Sequence, residues 1–189
     1  MSRTPVSLRE ARLDDVPFLL GIWGEHLRRG DEGQQVADLR RIVAEASVSA
    51  EQRLLVAEYD GAIAGAVFLT LTTTTPLNLE PTLLVLAPHV SPAYRRKGVA
   101  RVLLEATVAF AEEHGVGCVA TGAMYGSRDA NRFLARLGFS AQVTFRTAAT
   151  HVLRTRLALM TPVSRRTPGR DQLGHVIAAR RSLRRARSA

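Results

Sequence analysis

The first fifty residues contain blocks of apolar positions that recur first at strand spacing and then at helical spacing. Residues 6–9 predict a short strand. Asp14 caps the helix predicted after it, and Pro17 is tolerated in the first turn of that helix. Residues 24–33 are polar and glycine-bounded, which predicts a loop, and residues 34–50 predict a second helix. The apolar faces of the two helices are Val16, Leu19, Leu20 and Trp23, and Val36, Leu39, Ile42, Val43 and Ala46.

The middle of the chain carries two apolar, β-branched runs on either side of the pair Asp60-Gly61. This pair between two such runs is a strong hairpin signal, because both positions of the tight turn require a positive φ. Residues 53–59 and 62–71 are therefore predicted to be two antiparallel strands.

A polar segment and a further apolar run follow this hairpin. Residues 72–81 are rich in threonine and contain two prolines, so they predict a connecting segment. Residues 82–90 predict a buried strand. Pro88 lies within it and has no N–H to donate to a neighbouring strand. The strand is therefore expected to be bulged or splayed near its end.

The second half of the chain predicts five further elements, most of them bounded by glycine or by a capping residue. Ser127 or Asp129 would cap the second helix of this set, and glycine would end the first two helices. The elements are a helix over 98–114, a strand over 116–123, a helix ending before 138, a strand over 141–147 and a helix over 151–160. The order of elements indicates an α+β fold or a mixed α/β sheet.

Length and composition indicate one globular domain with appendages. The chain has 189 residues, of which 46% are hydrophobic, enough for a substantial core. There is no apolar run of 18 residues, and the segment MSRTPVSLRE lacks the apolar stretch of a secretory signal. Cys118 is the single cysteine and cannot form an internal disulfide. We therefore expect a soluble, cytoplasmic protein of bacterial type that spans no membrane.

The formal net charge of +9 is concentrated at the carboxyl end of the chain. Residues 161–189 contain eight arginines and one aspartate, which leaves 18 basic and 16 acidic residues in 1–160. The predicted globular domain, residues 1–160, is thus nearly neutral, and residues 161–189 form a separate basic tail. From residue 171 this tail could form a helix with a thin apolar stripe.

The basic tail has three open interpretations. It could be a disordered, solubilising segment. It could bind nucleic acid, the ribosome or another polyanion by electrostatic attraction, including an anionic membrane surface. It could also dock on a partner subunit, including a second copy in a homodimer.

The segment AYRRKGVA, residues 93–100, places three cations and a glycine before a predicted amphipathic helix. A helix N-terminus has N–H groups without intrahelical partners and a partial positive charge, so it favours anions. Arg95 and Arg96 can add charge-assisted hydrogen bonds, and Gly98 permits close backbone approach. Phosphate is the natural ligand, although a solvated basic turn would have the same composition. The phosphate-loop and dinucleotide-binding glycine motifs are absent.

Two motifs together resemble the GNAT superfamily of acyl-CoA-dependent acetyltransferases. Arg95-Arg-Lys-Gly98-Val-Ala100 matches the pyrophosphate-binding pattern R/Q-x-x-G-x-G/A of that family. Residues 127–139, SRDANRFLARLGF, resemble the family's N-x-x-A-x-x-x-Y-x-K-x-G-F helix. The resemblance covers residues 5–147 and implies a central, mostly antiparallel, splayed sheet flanked by helices.

The resemblance also implies which residues bind acetyl-CoA. Backbone amides of residues 97–100, with the side chains of Arg95 and Arg96, would bind the pyrophosphate. The backbone of Val90 would pair with pantetheine and direct an N–H at the thioester oxygen, and Ser127 stands where the family often has an asparagine that touches pantetheine. The implied cofactor-binding residues are Val90, Arg95, Arg96, Lys97, Gly98, Val99, Ala100 and Ser127. No metal is implied.

The usual catalytic groups of the family are missing from their expected positions. Family members commonly protonate the departing thiolate with a tyrosine, and Leu134 occupies that position. Many also place a glutamate on the central strand to take the amine proton, but residues 82–90 contain no carboxylate. Tyr125 follows the strand predicted over residues 116–123 and is a weak candidate for the acid. Alternatively, its side chain covers the edge of the core and has no catalytic role.

Other polar residues near the predicted site have structural explanations as well as catalytic ones. Glu80 could act through water or be a solvated loop carboxylate. His89 has a suitable intrinsic pKa, but strand alternation puts it on the face opposite Val90. Cys118 fits a small buried hydrophobe better than a nucleophile. His26 and Glu25 fall where family members shape the acceptor pocket, and solvated surface is the alternative.

The resulting expectation is a transfer of acetyl from acetyl-CoA directly to a primary amine, without a covalent enzyme intermediate. The acceptor would be an amine-bearing small molecule or peptide. The alternative is a non-catalytic acyl-CoA-binding module that its basic tail tethers to nucleic acid or a protein partner. The missing acid and base favour the alternative, while the intact pyrophosphate motif favours both equally.

Overall fold

A computed structural model describes residues 6–122, 128–141 and 146–160 of the chain. The chain divides into two compact units, Met1–Ser140 and Ala141–Ala189. The first unit contains the sheet and four helices. The second contains one described helix. The predicted domain boundary at residue 160 stays a prediction, because the tail from 161 to 189 lies outside the described residues.

The described elements alternate much as the apolar pattern predicts. The strands are β1 (Val6–Glu10), β2 (Gln52–Tyr59), β3 (Ala62–Thr75), β4 (Asn78–Val90) and β5 (Cys118–Thr121). The helices are α1 (Val16–Trp23), α2 (Glu32–Val48), α3 (Val99–Glu113), α4 (Arg128–Arg136) and α5 (Thr150–Met160). Short 3₁₀ turns cover Leu13–Asp15, Gly24–His26 and Pro92–Tyr94.

Five strands form one sheet in the order β1-β2-β3-β4-β5. The first three pairings are antiparallel and the pairing of β4 with β5 is parallel. Asp60 and Gly61 join β2 to β3 with φ angles of 55° and 74°, so both turn residues adopt the positive φ that the Asp-Gly pair predicts. The mixed, mostly antiparallel sheet confirms the predicted fold class.

The connection predicted over residues 72–81 is wrong, because most of this segment is strand. β3 continues to Thr75 and β4 begins at Asn78, so only two residues turn the chain. Thr74 and Thr82 are joined across the strands by a hydrogen bond between their hydroxyl oxygens, 2.8 Å apart. Threonine is β-branched and suits a strand, and its polarity misled the sequence interpretation.

Helices cover both faces of the sheet, and this produces two apolar cores. Alternate residues of β2 face opposite cores, with Leu55 and Ala57 toward α3, and Leu54 and Val56 toward α1 and α2. The α3 core also contains Phe110, which is 1% exposed. Burial on both faces explains why the β2 and β3 sequences are continuously apolar around their centres.

A charged network joins the start of α1 to the edge of the sheet. Arg9 on β1 donates two hydrogen bonds to Asp15, at 2.7 and 2.8 Å, and a third to Glu58 on β2 at 2.7 Å. The backbone N–H of Arg12 also donates to Asp15, at 2.6 Å. Asp15 is buried, and hydrogen bonding from Arg9 is the main reason that its pKa is lowered. The network fixes α1 relative to the first two strands.

Two predicted elements near the carboxyl end have different outcomes. The helix predicted over 151–160 is present as α5. The strand predicted over 141–147 falls mostly outside the described residues. No helix in the described ranges combines the length and apolar character needed to cross a membrane.

Candidate functional site

The loop between β4 and α3, residues 91–98, turns the chain sharply before the helix and is called the anion loop after its predicted ligand. The N–H of Tyr94 donates to the carbonyl of Ser91 at 2.9 Å, which closes the 3₁₀ turn before the cations. Arg96 and Gly98 then take positive φ angles of 63° and 93°, and Gly98 is the N-cap of α3. The first-turn N–H groups of α3 lack intrahelical partners, as at any helix start, so they are available to an anion at this loop.

The three cations of the loop occupy different environments. Arg95, Arg96 and Lys97 are all exposed. The ammonium nitrogen of Lys97 lies 4.6 Å from the ring centroid of Tyr59 and 5.6 Å from that of Tyr94. The geometry is that of a cation–π contact with two rings. The two arginines have no such ring contact in the described part of the chain, so their guanidinium groups are the ones free to meet a phosphate.

β4 is bulged at its end, as Pro88 predicts. Phe68 on β3 pairs with Leu86, but Ala66 pairs with His89, so three steps along β4 match two along β3. Ala87, inside the bulge, has a φ of 44°. The indole N–H of Trp23 donates to the Ala87 carbonyl at 2.8 Å, which ties α1 to the bulge.

β4 and β5 part at the same end of the sheet. Their parallel pairing runs from Thr82 with Cys118 to Val85 with Thr121. The Thr121 hydroxyl donates to the Val85 carbonyl at 2.9 Å. Over the described residues, the edge of β4 from Leu86 to Val90 therefore has no β5 partner. This edge can offer backbone N–H and carbonyl groups to an extended ligand.

Val90 is held in place by the close approach of β3. Its partner is Gly65, where an added Cβ would lie 2.6 Å from the His89 carbonyl oxygen and 3.1 Å from Val99 of α3. Only glycine fits this position without moving the backbone. The end of β4 is thus fixed directly beside the first turn of α3, and the bulge, the free edge and the anion loop form one continuous region.

His89 faces α1, on the side of the sheet opposite Val90. Its strand partner Ala66 belongs to the core under α1 and α2, whereas Gly65, the partner of Val90, faces α3. His89 is half-buried. Burial lowers its pKa below the ordinary value of 6.5, and the charges of Arg95 and His26 lower it further. This shift favours the neutral imidazole, which is the form able to accept a proton.

The other candidate catalytic and cofactor-binding residues lie away from the end of β4 or fall outside the described residues. Glu80 is exposed near the start of β4, ten residues from Val90 and so about 30 Å away along the strand. Cys118 is half-buried at the far end of β5 from the splay. Leu134 is half-buried on α4. Tyr125 and Ser127 lie outside the described residues, and their predicted roles stay predictions.

Two contacts of this region were not expected from the sequence. Trp23 was assigned only to a helical apolar face, and its indole hydrogen bond to Ala87 depends on the bulge. Tyr59 was treated as a strand residue, and its contact with Lys97 depends on the sheet bringing the end of β2 beside the loop. Trp23, Tyr59 and Lys97 lie in separate segments, so no local sequence pattern predicts these two contacts.

A separate hollow in the described surface lies away from this region. It has a volume of about 300 Å³ between β1, β2 and α3, and none of the predicted cofactor residues line it. Arg53 crosses its rim and stacks 4.5 Å from the Phe110 ring centroid. Among the described residues, no group of three or more His, Cys, Asp or Glu side chains is arranged to hold a metal ion.

Comparison with solved structures identifies the fold. A transcriptional regulator from Bacillus halodurans C-125 is 22% identical, with a TM-score of 0.63, over 77% of this chain and 99% of that chain. The aminoglycoside N-acetyltransferase AAC(6')-Iy, in complex with a bisubstrate analog, is 17% identical, with a TM-score of 0.62 and the same coverage. Glucosamine-6-phosphate N-acetyltransferase from Arabidopsis thaliana is 15% identical, with a TM-score of 0.59, again over 77% and 99%.

These identities are low enough that the structural likeness establishes the fold alone. No curated protein sequence matches the chain. The family assignment comes from the sequence model of the acetyltransferase (GNAT) family, which matches residues 21–139 and so includes the splayed strand, the anion loop and α4. The chain therefore belongs to the GNAT family of acetyltransferases.

Proposed function

We propose that the protein is an acetyl-CoA-dependent N-acetyltransferase that acts on a primary amine of a small molecule or peptide. One observation carries this proposal: the anion loop of residues 91–98 directly follows the unpartnered edge of β4, on the same rigid strand end. Coenzyme A needs both features, because its pyrophosphate is an anion and its pantetheine arm carries peptide-like amides. The catalytic domain would comprise residues 1–160.

The anion loop and the edge of β4 would bind different parts of coenzyme A. The amides of residues 97–100 and the guanidinium groups of Arg95 and Arg96 would bind the pyrophosphate. The backbone of β4 beyond Val85 would pair with the pantetheine amides. This arrangement brings the thioester to Val90, whose N–H would stabilise the charge that develops on the carbonyl oxygen.

The chemistry then requires a base on the acceptor side of the strand. The amine nitrogen attacks the thioester carbon, the carbon–sulfur bond breaks, and the thiolate leaves while the amine loses a proton. His89 is half-buried and adjacent to Val90, and its lowered pKa favours the neutral form. Since it faces α1 rather than α3, it can reach an amine without obstructing the cofactor. We assign His89 as the group that accepts this proton.

The His89 assignment predicts a specific pH effect. We expect His89→Gln to lower kcat by at least 100-fold, within the range typical of a lost general base, while the Kd for coenzyme A changes less than twofold. Only neutral imidazole accepts a proton, so the wild-type rate should be lost as pH falls through the His89 pKa, which lies below 6.5. Below that pKa the wild-type rate should fall more steeply with acidity than the variant rate.

His26→Gln is the matched control for this experiment. His26 is exposed and its charge lowers the pKa of His89. Its removal should therefore move the acid limb to higher pH and leave the plateau rate unchanged. Equal plateau rates in wild type and His89→Gln would remove His89 from the mechanism.

The function itself is tested by turnover and binding together. Calorimetry should show saturable binding of acetyl-CoA, and a thiol-release assay with peptide N-termini, aminoglycosides and polyamines should show acetylation of at least one amine class. A protein that binds acetyl-CoA but acetylates none of them would be a binding module rather than an enzyme. Absence of acetyl-CoA binding would overturn both the enzyme and the binding-module interpretations of the protein.

A further inference from the structure

We infer that the side chain of Lys97 is a positioning residue: the rings of Tyr59 and Tyr94 hold its ammonium group and thereby fix the loop that binds the coenzyme A pyrophosphate. The inference rests on the proposed function for the identity of the ligand. It assigns the three cations of the loop to two different tasks. Arg95 and Arg96 would contact the phosphates, and Lys97 would hold the backbone in the shape that they require.

The geometry of the contact supports a holding role. The two tyrosine rings lie 5.9 Å apart with an angle of 50° between their planes, and the ammonium of Lys97 lies 4.6 and 5.6 Å from their centroids. Both rings are half-buried and pack against the α3 core, so they form a fixed surface. Tyr59 is the last residue of β2 and Tyr94 closes the 3₁₀ turn. The contact therefore links the loop to a strand 38 positions away in sequence.

The loop backbone needs such a link because its conformation is strained. Arg96 has a φ of 63° although it carries a side chain, whereas Gly98, two residues later, adopts its φ of 93° without strain because it has no Cβ. Strained residues of this kind persist only where the surroundings determine their conformation. Backbone hydrogen bonds hold the two sides of Arg96 unequally: the Lys97 amide nitrogen lies 3.4 Å from the Tyr94 carbonyl oxygen, whereas the Gly98 carbonyl accepts the Val102 N–H at 3.2 Å at the start of α3. The side chain of Lys97, between Arg96 and Gly98, is a further anchor, and it ties this segment to the end of β2.

The chemistry of the three side chains agrees with this division. A guanidinium group offers a planar fork that matches two phosphate oxygens, whereas an ammonium group is a compact charge on a flexible stem. Lys97 is the only lysine among the 26 basic residues of the chain. In the described residues no carboxylate lies within 4.0 Å of its ammonium nitrogen, so the tyrosine rings are its electrostatic partners among the described side chains.

Substitution at Tyr59 tests the inference without altering the loop sequence. Tyr59→Leu should weaken coenzyme A binding about two- to fivefold, the effect expected for losing an exposed cation–π contact. Tyr59→Phe keeps the ring face and should retain wild-type affinity. Isothermal titration with coenzyme A measures both. Retained affinity in Tyr59→Leu, or equal losses in the two variants, would overturn the inference.

A double-mutant cycle distinguishes positioning from direct contact. If Lys97 acts through Tyr59, the variant Lys97→Met with Tyr59→Leu should bind coenzyme A no more weakly than the weaker single variant. Lys97→Met should also leave the salt dependence of the affinity unchanged, because no charge that touches phosphate is lost. Additive losses together with a weaker salt dependence would show that the ammonium binds phosphate itself.

Hydrogen exchange in the ligand-free protein separates this inference from the proposed function. Tyr59→Leu should speed the exchange of loop amides over residues 95–98, and Tyr59→Phe should not. If wild type fails to bind coenzyme A but shows this difference, the proposed ligand is wrong and the holding role of Lys97 stands. If wild type binds coenzyme A and loop exchange is the same in all three proteins, the holding role is wrong. If Tyr59→Leu folds poorly, Lys97→Met takes its place in this experiment. Lys97→Met must then show the faster exchange of the loop amides, and Tyr59→Phe must not.

Discussion

Replacing Asp15 with alanine is expected to destabilise the fold by about 3 kcal/mol, the low end of the range for breaking a buried ion pair. The low end applies because the Arg9 side chain is 24% exposed, whereas that of Asp15 is 5% exposed. The variant loses both hydrogen bonds from Arg9 and the bond from the Arg12 amide. For a domain of this size the melting temperature should fall by roughly 6–12 °C, measured by calorimetry.

Asp14→Ala is the control for this change. The sequence predicts that Asp14 caps α1, but the structure places Asp15 at the N-cap and Asp14 inside the preceding 3₁₀ turn. Asp14 is exposed, so the same loss of a carboxylate there should change stability by less than about 0.5 kcal/mol. Similar destabilisation in the two variants would show that the effect arises from the charge of the turn rather than from the buried network.

Low pH should weaken the ion-pair network of Arg9 and Asp15. Hydrogen bonding from Arg9 lowers the pKa of Asp15, so its contribution to stability is present above the unfolded pKa of about 3.9 and is lost as pH falls through the folded pKa. Asp15→Asn cannot titrate. Its free energy of unfolding should therefore depend less steeply on pH below about 4 than that of wild type.

The sequence predicted the core of the sheet because the relevant signals are local. The Asp60-Gly61 turn, the apolar runs beside it and the lack of an N–H at Pro88 each act within a few residues. The hairpin arm between β3 and β4 was missed because its tip protrudes and leaves Leu77 98% exposed. Polarity normally separates loops from buried strands, but an arm without a core has no apolar face to reveal it.

In the candidate site, too, the sequence predicted local features but not contacts between distant segments. The turn before α3 was predicted because Arg95, Arg96 and Gly98 lie within four residues and precede a helix, and its role as an anion site stays a prediction. His89 was predicted to face away from Val90, and it does, but its neighbours on that face were not predictable. Contacts such as Lys97 with Tyr59 depend on the register of strands that are distant in sequence. Whether a histidine can act as a base depends on its neighbours and burial, so the residue type of His89 alone could not assign it that role.

The largest loss of coenzyme A affinity is expected from Gly98→Val. Gly98 has a φ of 93° that a β-branched residue cannot adopt without strain, and the space around its Cβ position is open, so the effect acts through the backbone. The amides before and after residue 98 should turn away from the pyrophosphate. Losing one or two charge-assisted hydrogen bonds, about 1.5–3 kcal/mol each, would weaken coenzyme A binding at least tenfold by isothermal titration.

Gly115→Val provides a matched comparison for that result at the other end of α3. Gly115 has a φ of 64° and open space at its Cβ position, so valine should strain the backbone there in the same way. Both variants should therefore melt at a lower temperature than wild type, because each places a β-branched residue in the left-handed region. Only Gly98→Val should lose affinity for coenzyme A. Equal losses of affinity would mean that α3 stability limits binding, and an unchanged affinity in Gly98→Val combined with Arg96→Ala would place the pyrophosphate away from this loop.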